Sequence, residues 1–357
     1  MRVVATVFFA LPLALCAALT EARAPKWHEL ATYSFEQFVA DFGRRYASGR
    51  EHEQRRAVFE ARLKRVRAHN AQPGATYRKG VNQFSDWTEE EFQRLNTHKG
   101  AKYRTPAAMA KVQQLARNPQ AQLPYAVDYR RANPAVLTAV KNQGACGSCW
   151  AHSTVEAMES FFAIKYGQLP VLSAQQVASC APTMDGCGGG DYFAGWAYVA
   201  EAAQGLNEEW TYPYTDFFAV NESKAATSVC YDVSSKFLPN FAWVPKANVS
   251  GAWSVEPNSG AAAMEALALH GPLSISVAAG EWNEYESGVF NPSGANVTWA
   301  IDHAVQLVGY GFDTDLQAGY WIVRNSWGTT WGEDGYIRLY RPPAGQEPCG
   351  TDPQGGA

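Results

Sequence analysis

A short glycine-rich turn that leads directly into an amphipathic helix constrains this chain more than any other feature. Residues 143–150 read Gln-Gly-Ala-Cys-Gly-Ser-Cys-Trp, and apolar residues then recur at the 3.6-residue period of a helix. Ser148 is the predicted N-cap and Gly167 the predicted C-terminal stop. Cys149 therefore lies in the first helical turn, where unpaired N–H groups and the helix dipole favour thiolate over thiol. The pattern predicts a nucleophilic cysteine.

The periodicity of the rest of the chain divides it into a helical and a β-rich part. With 357 residues, 46% of them hydrophobic, the chain has room for two or three domains and a sizeable core. Residues 34–98 have helical spacing, with a capping-box pattern at Ser34 and Gln37, and residues 100–122 resemble an extended linker. From about residue 270 the period changes to two. We expect an α+β enzyme with a cleft between two lobes.

The overall charge of −4 hides an asymmetry between the two parts of the chain. Residues 25–122 carry 18 Lys and Arg against 10 Asp and Glu, and residues 123–357 carry 10 against 23. A basic segment can bind nucleic acid, but here acidic residues such as Glu51, Glu53 and Glu60 are interleaved along a predicted helix. We therefore predict that the two parts are electrostatic complements and that nucleic acid is not a partner.

The N-terminus has the pattern of a secretory signal. Arg2 precedes an almost wholly apolar run from Val3 to Leu19, and small residues follow. A membrane anchor is the alternative, but a run of 17 residues is short for a spanning helix of about 20. We predict a signal peptide over 1–24, no later membrane span, and a secretory route to a lysosome, a vacuole or the outside of the cell. Three sequons fit that route, at Asn221, Asn248 and Asn296.

A nucleophilic cysteine needs a base, and the base needs a group that orients it. Of the three histidines after residue 123, His303 opens an alternating strand and is favoured, while His152 and His270 are more readily explained as structural. Asn325 lies at a strand end beside Trp327, where its amide can accept the imidazole N–H and fix the tautomer. An ordinary β-turn is the alternative for this segment.

These segments together resemble the papain-like C1 cysteine peptidases, above all their cathepsin L-like group. The resemblance rests on Gln-Gly-x-Cys-Gly-Ser-Cys-Trp at 143–150, Asp-His-Ala at 302–304 and Asn-Ser-Trp-Gly at 325–328. The front part is similar to the family's inhibitory propeptide, with the E-R-F-x-I-N spacing over 51–70 and a complete G-x-N-x-F-x-D at 80–86. Arg62 replaces the motif's usual Asn, a departure that we expect on the helix surface.

The resemblance implies an endopeptidase that is made as an inactive proenzyme. Its fold is expected to have a helical left lobe over about 130–240 and a β-barrel-like right lobe over about 241–357. An inhibitory helical propeptide is expected over 25–122, and the catalytic domain over 123–357. No metal or other cofactor is implied, and we expect a monomer that acts on peptides or proteins.

The resemblance also assigns residues. Cys149 is the nucleophile, His303 the base and acid, and Asn325 the orienting group, while Gln143 completes the oxyanion hole. The family disulfides carry over as Cys146–Cys187 and Cys180–Cys230. The residues expected to bind substrate are Gly189, Gly190, Tyr192, Ser276, Ile301, Ala304 and Trp327. They predict a mostly apolar S2 pocket for a hydrophobic or aromatic P2 side chain, with Asp191 at the rim tolerating a basic one.

Two other functions have to be weighed against a peptidase. A catalytically dead relative that acts by binding would have lost its Cys, His or Asn, and this chain has kept all three. A Cys-His acyltransferase such as a transglutaminase would not need the propeptide motifs or Gly-Ser-Cys-Trp. For control, we expect the basic propeptide to dock on an acidic catalytic domain and acid to weaken that docking by protonating carboxylates.

Overall fold

The computed structural model describes residues 24–100, 104, 106–110, 112–182, 184–201, 205–216, 230, 249, 251–292, 299–347 and 352. The predicted signal peptide, apart from Ala24, and the three sequon asparagines lie outside these residues. Most residues around position 240, where the boundary between the lobes was predicted, also lie outside the described residues. In the part of the chain described, no helix is both long and apolar enough to cross a bilayer.

The basic front part folds around its own core. Its helices are α1 (Phe35–Asp41), α2 (Gly49–Asn70), α3 (Glu89–Gln93) and α4 (Pro106–Met109), and its strands are β1 (Tyr77–Lys79) and β2 (Val112–Gln114). Ser34 and Gln37 form the predicted capping box at the start of α1. Aromatic and aliphatic side chains of α1 and α2 pack together, among them Phe38 and Phe59, whose rings lie 4.8 Å apart. The predicted helical segment before the linker is therefore confirmed.

The helical lobe consists of α5 (Cys149–Tyr166), α6 (Ala174–Cys180) and α7 (Tyr192–Glu201). Gly167 ends α5 in the left-handed conformation with φ of 68°, which glycine adopts without a Cβ penalty. Ser148 is the N-cap as predicted, but its side chain makes no capping bond. Its hydroxyl lies instead 2.7 Å from the hydroxyl of Tyr214.

The described residues of the β lobe form a helix, a main sheet and the strand β4 (Ala252–Ser254), which pairs with β2 outside that sheet. The helix is α8 (Gly260–Leu269), and the other strands are β3 (Val127–Asp128), β5 (Leu273–Val277), β6 (Tyr285–Phe290), β7 (His303–Asp313), β8 (Ala318–Arg324) and β9 (Tyr336–Arg341). The order in the main sheet is β1-β6-β9-β8-β7-β3, and β5 also pairs with β7. The expected β-barrel-like lobe is thus an open sheet among the described strands, and the propeptide strand β1 extends its β6 edge.

The two lobes meet where α5 packs along β7. The Ser153 hydroxyl donates to the Val305 carbonyl at 3.0 Å, and the Gln306 amide donates to the Glu156 carbonyl at 3.0 Å. Because Ser153 lies one turn after the start of α5 and Val305 lies two residues into β7, the two elements begin close together. Cys149 and His303 stand at these two beginnings.

Two expectations about the front part are wrong. Residues 100–122 are not wholly extended, since they contain α4 and β2, and β2 pairs in parallel with β4 of the catalytic part. Arg62 does not lie on a free helix surface. It is 2% exposed because α2 packs against the following loop and the β lobe, where Arg62 donates to the Trp87 carbonyl at 2.8 Å and lies 3.9 Å from Glu284.

Candidate active site

Cys149 occupies the first position of α5 and is buried. Among the described residues it is the cysteine that forms no disulfide. The two implied bridges, Cys146–Cys187 and Cys180–Cys230, are both present. The first of them anchors the turn immediately before Cys149, so the sulfur of Cys149 is held at the helix start and stays available for chemistry.

His303 is oriented by Asn325, as expected. The imidazole Nε2 lies 2.8 Å from Asn325 Oδ1, and since a carbonyl oxygen can only accept, Nε2 carries the proton. The ring of Trp327 stacks on the imidazole with centroids 4.9 Å apart. Nδ1 has no hydrogen-bond partner within the described part of the chain. The neutral ring therefore presents an open lone pair, which is what a base requires.

Gln143 is buried and linked to the same strand end. Its Oε1 accepts from the Ser326 hydroxyl at 2.7 Å, and its backbone N–H donates to the Ser326 carbonyl at 2.8 Å. Its Nε2 donates to the Cys146 carbonyl at 2.9 Å and to the Leu95 carbonyl at 3.1 Å. The amide predicted to bind an oxyanion thus binds a backbone carbonyl of the propeptide.

The structure reverses the expected ionisation of the nucleophile. Burial raises the pKa of the Cys149 thiol to about 11, although backbone groups of Ala304 and Thr97 act in the opposite direction. Burial likewise lowers the pKa of His303 to about 4, although the hydrogen bond that His303 donates to Asn325 acts in the opposite direction. The helix start was expected to favour thiolate, but loss of water around a charge outweighs it in this covered state. Both groups are therefore neutral near pH 7.

A propeptide segment, residues 95–99, covers these groups. The His98 N–H donates to the Asp302 carbonyl at 2.8 Å, and the Lys99 N–H donates to the Gly190 carbonyl at 3.2 Å. A Cβ added at Gly189 would lie 2.3 Å from the Thr97 carbonyl oxygen, and one added at Gly190 would lie 2.5 Å from the Trp150 ring. The two glycines allow a peptide backbone to approach α5 closely.

The predicted pocket residues surround one propeptide side chain. His98 lies against the Tyr192 ring, with centroids 5.3 Å apart and planes at 3°, and its Nε2 is 2.8 Å from Ser276 Oγ. Ala304 packs in one apolar cluster with Cys149 and Tyr192. Ile301 is half-buried, and its N–H donates to Asp352 Oδ1 at 3.3 Å.

Two other residues that were predicted near the substrate have surroundings different from those expected. Trp327 packs instead against Phe84 and Phe92 of the propeptide, with centroids 5.7 and 5.1 Å away. Asp191, which was predicted at the rim of the pocket, is covered by the propeptide. It is fully buried, because Arg104 and His98 of the propeptide cover it.

The sequence predicted the residues that the structure brings together around Cys149, but not the propeptide groups that contact them. Leu95, Thr97 and His98 follow the G-x-N-x-F-x-D motif without any periodicity of their own, so no sequence signal marked them. His152, which was expected to be structural, is buried, and its Nδ1 is 3.0 Å from the Ser148 carbonyl oxygen.

One group of side chains has the spacing of a metal site. Cys146, Cys187 and Asp216 lie close together in the described part of the chain. Both sulfurs belong to the same disulfide, so neither can supply the thiolate that a metal would need. The donor set therefore does not fit a metal centre.

Comparison with known proteins gives the same pattern along the chain. The family profile described as "Papain family cysteine protease" matches residues 123–354, and that described as "Cathepsin propeptide inhibitor domain (I29)" matches residues 35–92. The senescence-specific cysteine protease SAG12 of Arabidopsis thaliana is 34% identical over 94% of this chain and 92% of that protein.

Two solved proforms are similar to the fold. Digestive procathepsin L 3 from the larval midgut of Tenebrio molitor is 29% identical, with a TM-score of 0.70 over 86% of this chain and 92% of that one. A recombinant stem bromelain precursor is 31% identical, with a TM-score of 0.69 over 86% and 91% of the two chains. The similarity covers both the propeptide and the part that holds Cys149.

Proposed function

The chain belongs to the papain family of cysteine proteases, and we propose that Cys149, His303 and Asn325 carry out its peptide hydrolysis. It is a cysteine endopeptidase made as a proenzyme, and its own propeptide inhibits it. We assign residues 25–122 to the propeptide and 123–357 to the catalytic domain, with the lobes dividing near residue 240. The observation that carries the residue roles is the 2.8 Å contact from His303 Nε2 to Asn325 Oδ1 with Nδ1 left open.

The reaction proceeds by acyl transfer to sulfur. Once the propeptide leaves, water enters the cleft, and the proton of the Cys149 thiol passes to His303 Nδ1. The thiolate attacks the scissile carbonyl carbon, and the resulting oxyanion accepts hydrogen bonds from Gln143 Nε2 and the Cys149 N–H. The imidazolium then donates its proton to the leaving amine as the C–N bond breaks. Water, deprotonated by His303, hydrolyses the thioester and restores the thiol.

Asn325 acts in this scheme as a positioning residue. We expect Asn325→Ala to lower kcat roughly 10- to 100-fold with KM little changed, because a hydrogen bond to a charged group contributes about 1.5–3 kcal/mol. The imidazolium loses that bond, so the acidic limb of the kcat profile shifts to lower pH. Steady-state kinetics of the mature enzyme across pH measures both effects.

Asn291→Ala, just after β6 and outside the cleft, is the matched control and should leave the profile unchanged. A purely structural role for Asn325 would lower the concentration of titratable active sites without moving the pH profile. That outcome would contradict the assignment.

Inhibition is proposed to rest on residues 95–99, which occupy the positions that a substrate needs. The Leu95 carbonyl accepts a hydrogen bond from the side-chain amide of Gln143, and His98 fills the pocket beside Gly190. Docking is also electrostatic. Glu284 of the catalytic domain lies 2.9 Å from Lys79 Nζ, 3.1 Å from an Arg65 nitrogen and 3.9 Å from Arg62. The sign of these contacts agrees with the basic-on-acidic docking expected from the charge asymmetry.

Two carboxyl groups covered by the propeptide act against its release in acid. Burial raises the pKa of Asp191 to about 6 and that of Glu286, beside Lys26, to about 7. A carboxyl whose pKa is raised in the docked state favours docking more as the pH falls. These two groups therefore oppose release of the propeptide in acid.

Protonation of His98 has the opposite effect and favours release of the propeptide. Burial, and then the charges of Arg104 and His303, lower its pKa from 6.5 to about 3. Docking therefore keeps His98 neutral, and its contribution is fully present above pH 6.5 and is lost as the pH falls from 6.5 towards 3. The groups that face His98 are Arg104, Asp191, Tyr192, Ser276, His303 and Asp352.

We expect His98→Gln to flatten the pH dependence of maturation. Glutamine can still hydrogen-bond Ser276 but cannot take up a proton. In the wild type, uptake of one proton by His98 can speed maturation by up to about 100-fold between pH 6.5 and 4.5, a factor of ten for each pH unit. The variant should lose this part of the acceleration. Gel analysis of purified proform at several pH values measures this. His28→Gln, on an exposed propeptide histidine, is the control, and an unchanged pH dependence in His98→Gln would refute the sensor role.

For localisation, cathepsin-like proteases are generally secretory or lysosomal. We propose that this chain enters the secretory route through residues 1–24 and reaches a lysosome, a vacuole or the extracellular space as a monomer. The two disulfides support an oxidising compartment.

A further inference from the structure

The pocket that holds His98 contains more polar groups than an apolar S2 pocket would. The Thr97 backbone lies against the Cys149 thiol, and His98 is the next residue, so its side chain lies one residue away from the reacting sulfur. Its imidazole stacks on Tyr192 and contacts Ser276 Oγ, and the Tyr192 hydroxyl lies 3.0 Å from the same Ser276 oxygen. The pocket therefore offers a flat aromatic face and a pair of linked hydroxyls.

Asp191 supplies the pocket's charge. Its side chain is fully buried, and Oδ1 accepts the Phe193 N–H at 2.7 Å. Oδ2 accepts no hydrogen bond in the described part of the chain. It lies 3.5 Å from Arg104 Nε and 3.8 Å from His98 Nε2. Two propeptide side chains with ring or guanidinium N–H groups thus converge on one carboxylate oxygen, at distances longer than an ordinary hydrogen bond.

We propose that Asp191 is a specificity-determining residue of the mature enzyme, and that the S2 pocket selects histidine and arginine at P2 over aliphatic side chains. The inference rests on the proposed function, because it assigns the ligand of the same catalytic cleft. It goes beyond tolerance of a basic residue, since it makes Asp191, whose Oδ2 lies 3.8 Å from the side chain that fills the pocket, the source of a preference.

The physical reason is the cost of an unpaired buried carboxylate. An aliphatic P2 side chain would exclude water from Asp191 without giving Oδ2 a donor, and a buried polar group without a partner is unfavourable. Histidine or arginine gives it a donor and also stacks its planar group on Tyr192. Sites with a buried polar group discriminate most strongly against ligands that cannot pair it.

The test compares four dipeptidyl substrates that differ only at P2, carrying His, Arg, Leu or Phe, with the same P1 residue and fluorogenic leaving group. Active-site titration with an epoxide thiol trap normalises every rate to competent enzyme. For the wild type we expect kcat/KM to be at least about 10-fold higher for His and Arg than for Leu. Asp191→Asn should reduce the His/Leu and Arg/Leu ratios by about 10-fold or more, with lower kcat/KM on His and Arg and higher kcat/KM on Leu, because the uncharged amide no longer penalises an aliphatic P2 side chain.

Two further variants keep the test decisive. Ser276→Ala should lower kcat/KM for His more than for Arg, because it removes the hydroxyl that contacts the imidazole. This variant tests the pocket independently if Asp191→Asn does not fold. Asp315→Asn, in the exposed β7–β8 turn, is the matched control and should change nothing. Equal losses on all four substrates in Asp191→Asn, or a wild-type preference for Leu, would overturn the proposal. Failure to cleave any of the four would instead count against the proposed function.

Discussion

Cys149→Ser is expected to abolish measurable peptide hydrolysis, with a loss of at least about 10⁴-fold in kcat/KM. A serine hydroxyl has a far higher pKa than a thiol, so the neutral His303 beside it cannot generate the nucleophilic anion to the same extent. The variant should also stay full-length in acid, because no active enzyme forms to cut the linker. Hydrolysis of a fluorogenic peptide and gel analysis of the acidified proform measure the two effects.

The matched comparison uses the two histidines of the β lobe. His303→Ala should match Cys149→Ser, and the double variant should be no worse than either single variant, because the two groups act as a unit. His270→Ala, at the C-terminal end of α8, should keep wild-type activity. If Cys149→Ser kept more than a few per cent of activity after titration, the nucleophile would have to be another residue.

Glu284→Gln is expected to weaken the hold of the propeptide on the catalytic domain by about 3 kcal/mol, roughly 100-fold. Glu284 is 3% exposed and faces three cations, so glutamine would leave Arg62 buried beside an uncharged amide. The proform should therefore show peptidase activity and mature at near-neutral pH, where the wild-type proform is inhibited. Maturation rates at pH 7 and at high salt give the measurement, and the difference between the proteins should narrow as salt weakens the remaining contacts.

Glu281→Gln provides the control, because Glu281 is an exposed acid in the same loop. It removes the same formal charge three residues away and should mature like the wild type. Equal acceleration by both substitutions would mean that overall charge drives docking and that the cluster at Glu284 has no special role.

The elements that carry chemistry were predictable because their signals are local. The helix that starts at Cys149 follows from apolar spacing and from Gly167, and the strand that starts at His303 follows from alternation over a few residues. The pairing of His303 with Asn325 across 22 positions came from the resemblance to a family and from the chemistry of an imidazole, since periodicity does not show which strand ends meet.

The features that were missed depend on contacts between distant segments. Helical periodicity places Arg62 on the polar face of α2, but it does not show that Glu284, more than two hundred positions away, covers that face. The same limit applies to Cys149. Its place in a helix predicts a lowered pKa, whereas the propeptide that excludes water raises it. Strand β2 has only three residues, and its partner β4 lies in a segment without a clear pattern, so neither was expected.

Because β2 pairs with β4, cleavage of the propeptide and its dissociation from the catalytic domain are separate events. A single peptide-bond cleavage near Leu123 leaves the ladder from Val112 to Gln114 intact, together with the bond from the Leu115 N–H to the Ser254 carbonyl at 2.8 Å. Arg117 also stays within 3.6 Å of carboxylate oxygens of Glu256 and Glu265. We therefore expect the severed piece to stay bound at first, so that activity appears with a lag that dissociation sets and dilution shortens.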